Sequence, residues 1–215
     1  MSATPKRRTR ERIVEAGLRL FNDFGEPNVT TGLIASELGI SPGNLYYHFR
    51  NKEEIVTDLF AEFEKEMAGL LLAPRHGRPG VEEVWQQIHA LFELIRRYQF
   101  LYRDLNDILS RNRTVELQFK RILQLSVQAS MAACNGLIAA GEMQASRLER
   151  QALADNLVIV ATYWMSYEYV RNPREPLGEA AVQRGAFQVL ALAAPHLRGR
   201  SRELFEKLAK KYLAE

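Results

Sequence analysis

Apolar residues recur every three to four positions along nearly the whole chain, and no stretch alternates apolar with polar residues as a half-buried strand does. The pattern predicts an all-α protein. Helices are expected at about residues 9–24, three times between residues 30 and 72, from Val81 to Ile95, and at about residues 100–109, 114–140, 148–170, 179–197 and 201–213. Residues 127–140 are small or apolar on nearly every side, which predicts a central position for that helix.

Helix-start residues cluster between residues 30 and 51. Thr30 or Thr31 begins one short helix that ends at Gly39, Ser41 begins a second of about two turns, and Asn51 begins a long one. Two short helices joined by a three-residue step form a helix-turn-helix, whose second helix enters the DNA major groove. The spacing therefore predicts a DNA-binding domain near the start of the chain.

The second short helix has an inner and an outer face. A helical wheel places Leu45 and Phe49 inward and turns the first residues of the helix outward. Asn44 suits a bidentate contact with adenine, and hydroxyls at helix N-termini suit phosphates. The candidate DNA-binding residues are Thr30, Thr31, Ser41, Pro42, Gly43, Asn44, Tyr46, Tyr47, His48 and, as a charged phosphate contact, Lys52.

Charge is unevenly distributed. Residues 1–52 contain eight Lys or Arg against five acidic residues, whereas the remainder has 21 of each and is neutral. All of the net charge of +3 thus lies in the first quarter of the chain. A basic segment joined to a neutral body favours a negatively charged partner that is met at one end, and nucleic acid is the leading candidate.

Several classes of protein are not supported. Cys134 is the only cysteine, so neither an intrachain disulfide nor a cysteine zinc site is expected. Apolar runs are shorter than the roughly 20 residues of a bilayer span, so a cytoplasmic protein without a membrane partner is expected. The four histidines are far apart and no catalytic or nucleotide-binding motif is present. We therefore expect no enzyme activity, no cofactor and no metal.

Residues 9–70 resemble the N-terminal domain of the TetR family of bacterial transcriptional regulators. The shared pattern is carried by Phe21, Gly25, Thr30, Ile34, Ala35, Gly39, Ile40, Ser41, Tyr46, Phe49, Lys52 and Ile55. The resemblance implies a helix-turn-helix domain at 1–52 and an all-helical effector-binding and dimerisation domain at 53–215. It also implies a homodimer that binds a near-palindromic double-stranded operator, usually as a repressor, and releases it when a small molecule binds.

The same resemblance implies a dimer built from the last two long helices. The candidate interface residues are Leu157, Val160, Trp164, Phe187, Leu190 and Ala194. The candidate effector-pocket residues are aromatic or soft side chains with two polar anchors: Trp85, His89, Phe92, Tyr98, Tyr102, Arg103, Phe119, Met131, Cys134, Asn135 and Trp164. Their aromatic content suggests an apolar or amphipathic effector.

Other functions stay open at this point. The same fold can activate transcription or respond to a protein partner instead of a small molecule. A more distant alternative is an all-helical ligand carrier whose helix-turn-helix no longer binds DNA specifically. The effector, the operator sequence, the regulated genes and the sign of regulation are not encoded in any pattern of the sequence.

Overall fold

The computed structural model describes residues 5–73, 81–173 and 177–213. Over these residues the chain is helical and contains no strand beyond an isolated bridge between Met143 and Leu197. The predicted all-α class is therefore confirmed. The Pro- and Gly-rich stretch at residues 73–80, where the sequence predicts a loop between helices, falls almost wholly outside the described residues.

Eleven α-helices lie in the described ranges. They are α1 (Pro5–Phe24), α2 (Thr31–Glu37), α3 (Pro42–His48), α4 (Lys52–Leu71), α5 (Val81–Arg97), α6 (Gln99–Arg103), α7 (Leu105–Arg111), α8 (Arg113–Ala139), α9 (Arg147–Arg171), α10 (Glu179–Ala193) and α11 (Gly199–Leu213). Short 3-10 helices follow α1 at Glu26–Asn28 and α10 at Ala194–His196.

One predicted helix, at residues 100–109, is two helices. The chain bends at Asp104, between α6 and α7, where the backbone leaves helical geometry. The Asp104 carboxylate accepts the Glu26 backbone N–H at 2.8 Å, and the neighbouring Arg103 donates to the Phe21 carbonyl at 2.6 Å and the Asn22 carbonyl at 3.0 Å. These contacts come from about 80 positions earlier in the chain, so local periodicity could not predict the break.

The chain divides into two compact units. The first unit contains residues up to 65 together with 98–119. Its core is aromatic: the Phe63 ring lies 5.5 Å from Tyr98 and 5.8 Å from Tyr102, and Tyr102 lies 5.9 Å from Phe119. The segment from Tyr98 to Phe119 therefore packs against α4, although it lies far from that helix in sequence.

The second unit contains residues 66–97 and those from 120 onward. Helix α10 packs on α5 and α9, and the Trp164 indole N–H donates to the Ala181 carbonyl at 2.8 Å. Gly185 allows this approach, because a Cβ there would lie 2.4 Å from Phe92 and 2.5 Å from Trp164. A further cluster of buried residues comprises Cys134, Leu137, Met143, Leu153, Leu190, Leu197 and Phe205.

The central position expected for the helix at residues 127–140 is only partly matched by its burial within the single chain. Only Cys134 and Leu137 of this segment are buried, and its other residues are half-buried or exposed. By length and composition α8 also resembles a membrane span, a weak indication for one helix. Most side chains of residues 127–140 are small or apolar, and much of their surface is left accessible by the rest of the chain. Such a surface is available to a ligand or a partner.

Candidate nucleic-acid interface

The helix-turn-helix is defined by two side-chain caps. Thr30 Oγ1 accepts the Leu33 backbone N–H at 3.1 Å and so begins α2, while Ser41 Oγ accepts the Asn44 backbone N–H at 3.2 Å and begins α3. Between them Gly39 has φ of +63°, a left-handed conformation that favours glycine. Of the two predicted caps for α2, Thr30 is the one used.

Helix α3 presents the outer face that the helical wheel predicted. Leu45 and Phe49 are completely buried, whereas Tyr46 is 53% exposed and Tyr47 is 67% exposed. Ser41, Pro42, Gly43 and Asn44 are also exposed, and His48 is half-buried with its ring 5.2 Å from that of Tyr47. Polar and aromatic groups thus form one accessible surface on α3.

The two short helices are joined at this surface by a pair of hydroxyl groups. Thr31 Oγ1 and Tyr46 Oη lie 3.2 Å apart. Only one of the two hydroxyls donates to the other, so the second retains a hydrogen that can reach a phosphate oxygen. Thr31 and Tyr46 therefore link α2 to α3. One of their two hydroxyls also keeps a hydrogen that it can donate to another group.

Arg10 of α1 supports the C-terminal end of α3, a role that the sequence did not indicate. Its guanidinium lies over the Phe49 ring, 4.1 Å from the centroid, and donates to the His48 carbonyl at 2.9 Å. It also forms an ion pair with Asp58 of α4. One side chain of α1 thereby holds the C-terminal end of α3, where helix carbonyls lack partners. No local spacing connects residues 38 positions apart.

Lys52 is placed differently from the prediction. Its ammonium donates to the Glu26 carbonyl at 2.7 Å and lies 3.1 Å from the Glu26 carboxylate. The Lys52 side chain is only 16% exposed. Because the ammonium is held inside the first unit, we revise the predicted phosphate contact to an internal ion pair.

Several predicted pocket residues belong to the core of the first unit. Tyr98, Tyr102 and Phe119 are between 2% and 4% exposed, and burial raises the pKa of the Tyr102 phenol. Arg103 is bonded to the carbonyls that end α1. These four residues therefore take part in the packing and hydrogen bonding of the first unit, and their place in an effector pocket stays a prediction.

The remaining pocket candidates lie in the second unit. Phe92, Cys134 and Trp164 are buried in its packing, and Asn135 is exposed and accepts a hydrogen bond from Arg150 of α9. Trp85, His89 and Met131 are half-buried, with the Trp85 and His89 rings 4.2 Å apart. Together with Asn135, these three are the pocket candidates of the second unit that keep accessible surface.

The predicted dimer residues divide in the same way. Trp164, Leu190 and Ala194 are between 2% and 8% exposed and pack within their own chain, so they are corrected to core residues. Leu157, Val160 and Phe187 are half-buried. A different set on α9 is exposed at 49% or more and follows a helical spacing of four, four and three: Ile159, Tyr163, Tyr167 and Val170.

Known families match along most of the chain. The profile of bacterial regulatory proteins of the tetR family matches residues 13–59, and that of the TetR bacterial transcriptional repressors matches residues 62–205. The chain belongs to the TetR family. It is therefore a DNA-binding transcriptional regulator of a non-enzymatic family, and its helix-turn-helix is the DNA-binding element of that family.

Individual relatives support the assignment over different lengths. This chain is 32% identical to the class C tetracycline repressor of Escherichia coli over 96 residues. The match covers 44% of this chain and 41% of that protein. It is 31% identical to AcrR of Shigella flexneri over 72 residues, 34% of each protein. The matches thus span less than half the length of these curated relatives.

A solved structure matches over nearly the whole length. A TetR-family transcriptional regulator from Marinobacter aquaeolei VT8 superposes with a TM-score of 0.86 at 33% identity. The match covers 95% of this chain and 98% of that one. The helical body is therefore shared as well as the DNA-binding domain.

Proposed function

We propose that the protein is a cytoplasmic repressor that binds a near-palindromic operator as a homodimer and releases it on binding a small molecule. The observation that carries the proposal is the exposed outer face of α3. Tyr46 and Tyr47 are large aromatic side chains kept in solvent at the start of a short, capped helix, where a major groove would receive them.

Base reading is assigned to Asn44, which lies on the exposed face. The Asn44 side-chain amide can donate to and accept from adenine, and Gly43 beside it lets the backbone approach the groove. Tyr47 and His48 supply donors to the phosphates that flank the base contacts.

Phosphate contacts are assigned to the helix caps. Thr30 Oγ1 and Ser41 Oγ act as acceptors for backbone N–H groups, so the hydroxyl hydrogens remain available. A phosphate oxygen at either helix start would receive that hydrogen together with the positive end of the helix dipole. Pro42 at the first helical position contributes no N–H of its own.

Dimerisation is assigned to the exposed stripe of α9. Ile159, Tyr163, Tyr167 and Val170 place apolar and aromatic surface along one face of a 25-residue helix. Such a stripe is costly in solvent and suits a two-fold helix pairing. Two recognition helices about 34 Å apart would read successive major-groove faces, which one short helix cannot do.

The effector is assigned to the second unit. Trp85, His89 and Met131 are half-buried, and the surrounding segment of α8 is apolar and partly uncovered. A site lined by an indole, an imidazole and a thioether favours an apolar or amphipathic small molecule.

The proposal is tested with labelled duplex DNA from immediately upstream of the protein's own coding region and a scrambled duplex as control. Wild-type protein should prefer the upstream duplex, and Asn44→Ala should reduce that preference at least tenfold. Equal affinity of the wild type for both duplexes would contradict the proposal for this DNA and direct attention to a carrier function.

A further inference from the structure

Glu26 is a charged residue in an unusual place. It lies in the 3-10 helix between α1 and α2 and is only 2% exposed. Removing a carboxylate from water is costly unless cations and hydrogen bonds replace the water. The neighbours of Glu26 should therefore be fixed in position by the charge that they neutralise.

Those neighbours come from two distant helices. Lys52 at the start of α4 lies 3.1 Å from Glu26 Oε1, and Arg111 of α7 donates to Glu26 Oε2 at 2.6 Å. The Glu26 backbone takes part as well, because its carbonyl accepts from Lys52 and its N–H donates to Asp104. We call Glu26, Lys52 and Arg111 the Glu26 cluster.

The cluster joins the segment that carries α3 to the α6–α7 segment. Lys52 follows the last residue of α3, His48, by four positions, whereas Arg111 is 85 positions from Glu26. Arg111 donates hydrogen bonds to the Asp107 and Glu26 carboxylates, and these bonds raise its pKa. A guanidinium is charged at neutral pH in any case. A neutral hydrogen bond also links the end of α7 to α4: the side-chain amide of Asn112, the residue after α7, donates to Thr57 at 2.9 Å.

From this geometry we propose that Glu26 is a positioning residue for DNA binding: through Lys52 and Arg111 it fixes α3 and α4 against α7. The inference rests on the proposed operator binding and deepens it. Helix α7 then becomes part of the DNA-reading unit, and a change in α7 can alter operator affinity without touching any residue that faces DNA.

The sign of the effect separates positioning from simple electrostatics. Replacing Glu26 with Gln removes a negative charge from the DNA-binding unit, which by charge alone would tighten binding to every duplex. Positioning predicts the opposite for the operator, because α3 loses its fixed orientation. Binding to scrambled DNA, which does not need that orientation, should not weaken.

The experiment compares Glu26→Gln, Arg111→Met and Arg111→Lys in the full-length protein by fluorescence anisotropy with operator and scrambled duplexes. The matched control is Glu116→Gln, which breaks a surface pair with Arg113 on α8. All measurements are made well below the unfolding midpoint of each variant.

We expect Glu26→Gln and Arg111→Met each to lower operator affinity about tenfold, with no loss for scrambled DNA from Glu26→Gln. Arg111→Lys should restore part of the loss. A double variant that combines Glu26→Gln with Arg111→Met should lose little more affinity than either single variant, as for residues that act as a pair. Glu116→Gln should bind as the wild type does. If Glu26→Gln does not fold, the Arg111 variants decide, since Arg111 is 38% exposed and leaves Lys52 paired with Glu26.

Two results would overturn the inference. If the wild type prefers the operator and both Glu26→Gln and Arg111→Met retain that preference, the cluster does not position α3 and the proposed function stands alone. If the wild type shows no preference for any duplex, the proposed function fails and this inference fails with it.

Discussion

The packing of α10 makes a sharp prediction at Gly185. An Ala Cβ there would lie 2.4 Å from a ring carbon of Phe92 and 2.6 Å from the Trp164 indole nitrogen. Phe92 is fully buried, and Trp164 is held by its hydrogen bond to the Ala181 carbonyl, so neither ring can move freely. Gly185→Ala should therefore force the helices apart.

The magnitude follows from three opposing contributions. Overpacking a core costs about 1–3 kcal/mol. Displacing the indole from its carbonyl partner costs about 1–3 kcal/mol more, because both groups are buried. The better helix propensity of Ala returns about 1 kcal/mol. We expect a net destabilisation of about 3 kcal/mol from Gly185→Ala.

Gly69 provides a control of the opposite sign. It lies in α4, is exposed, and a Cβ added there meets nothing within 4 Å. Gly69→Ala should therefore stabilise the protein by about 0.5–1 kcal/mol. Both variants are compared with the wild type by urea unfolding at one protein concentration, followed by far-UV circular dichroism. A Gly185→Ala protein as stable as the wild type would refute the packing argument.

Three further predictions concern binding and assembly. Tyr47→Ala should weaken operator binding about tenfold while leaving the unfolding midpoint unchanged; a shifted midpoint would instead show that Tyr47 supports the fold. Arg10→Met should lower the affinity for the operator more than the affinity for scrambled DNA. Fluorescence anisotropy with the two duplexes gives both dissociation constants, and an equal loss for both would mean that Arg10 acts only by charge. Tyr163→Glu should yield monomers in sedimentation velocity, with Leu117→Glu on α8 as an exposed control; a dimer that persists in Tyr163→Glu would place the interface elsewhere.

The helix-turn-helix could be predicted from the sequence because its signals are local. Caps such as Ser41, stops such as Gly39, and the inward pair of Leu45 and Phe49 all act within one or two turns of the chain. The same locality gave the helix order of the larger body. Local chemistry was thus sufficient for these helices and for the outward face of α3, but not for the break at Asp104 between α6 and α7.

The partners of charged residues could not be predicted in this way. Lys52 was interpreted as a phosphate contact, yet its partner Glu26 lies 26 positions earlier and is buried. Arg103 was interpreted as a pocket anchor, yet it bonds carbonyls 81 and 82 positions away. A charge near a DNA-binding helix looks the same in sequence whether it faces DNA or the protein interior.

The predicted dimer-interface residues on α9 and α10 were the other source of error. Apolar periodicity indicates that one face of α9 and α10 is covered but does not say by which chain. Leu190 turned out to be covered by its own chain, whereas Tyr163 is 49% exposed and was not singled out. Only the packed structure separates residues of the intrachain core from residues that stay exposed on the single chain.

The measurement that tests the central claim most directly is selection of bound duplexes from a random-sequence library by the purified full-length protein at physiological salt. We predict enrichment of an inverted repeat whose half-sites are about one helical turn, or a multiple of it, apart, and loss of that enrichment in Asn44→Ala. Recovery of no sequence motif by the wild-type protein would contradict the assignment of α3 as the element that reads DNA.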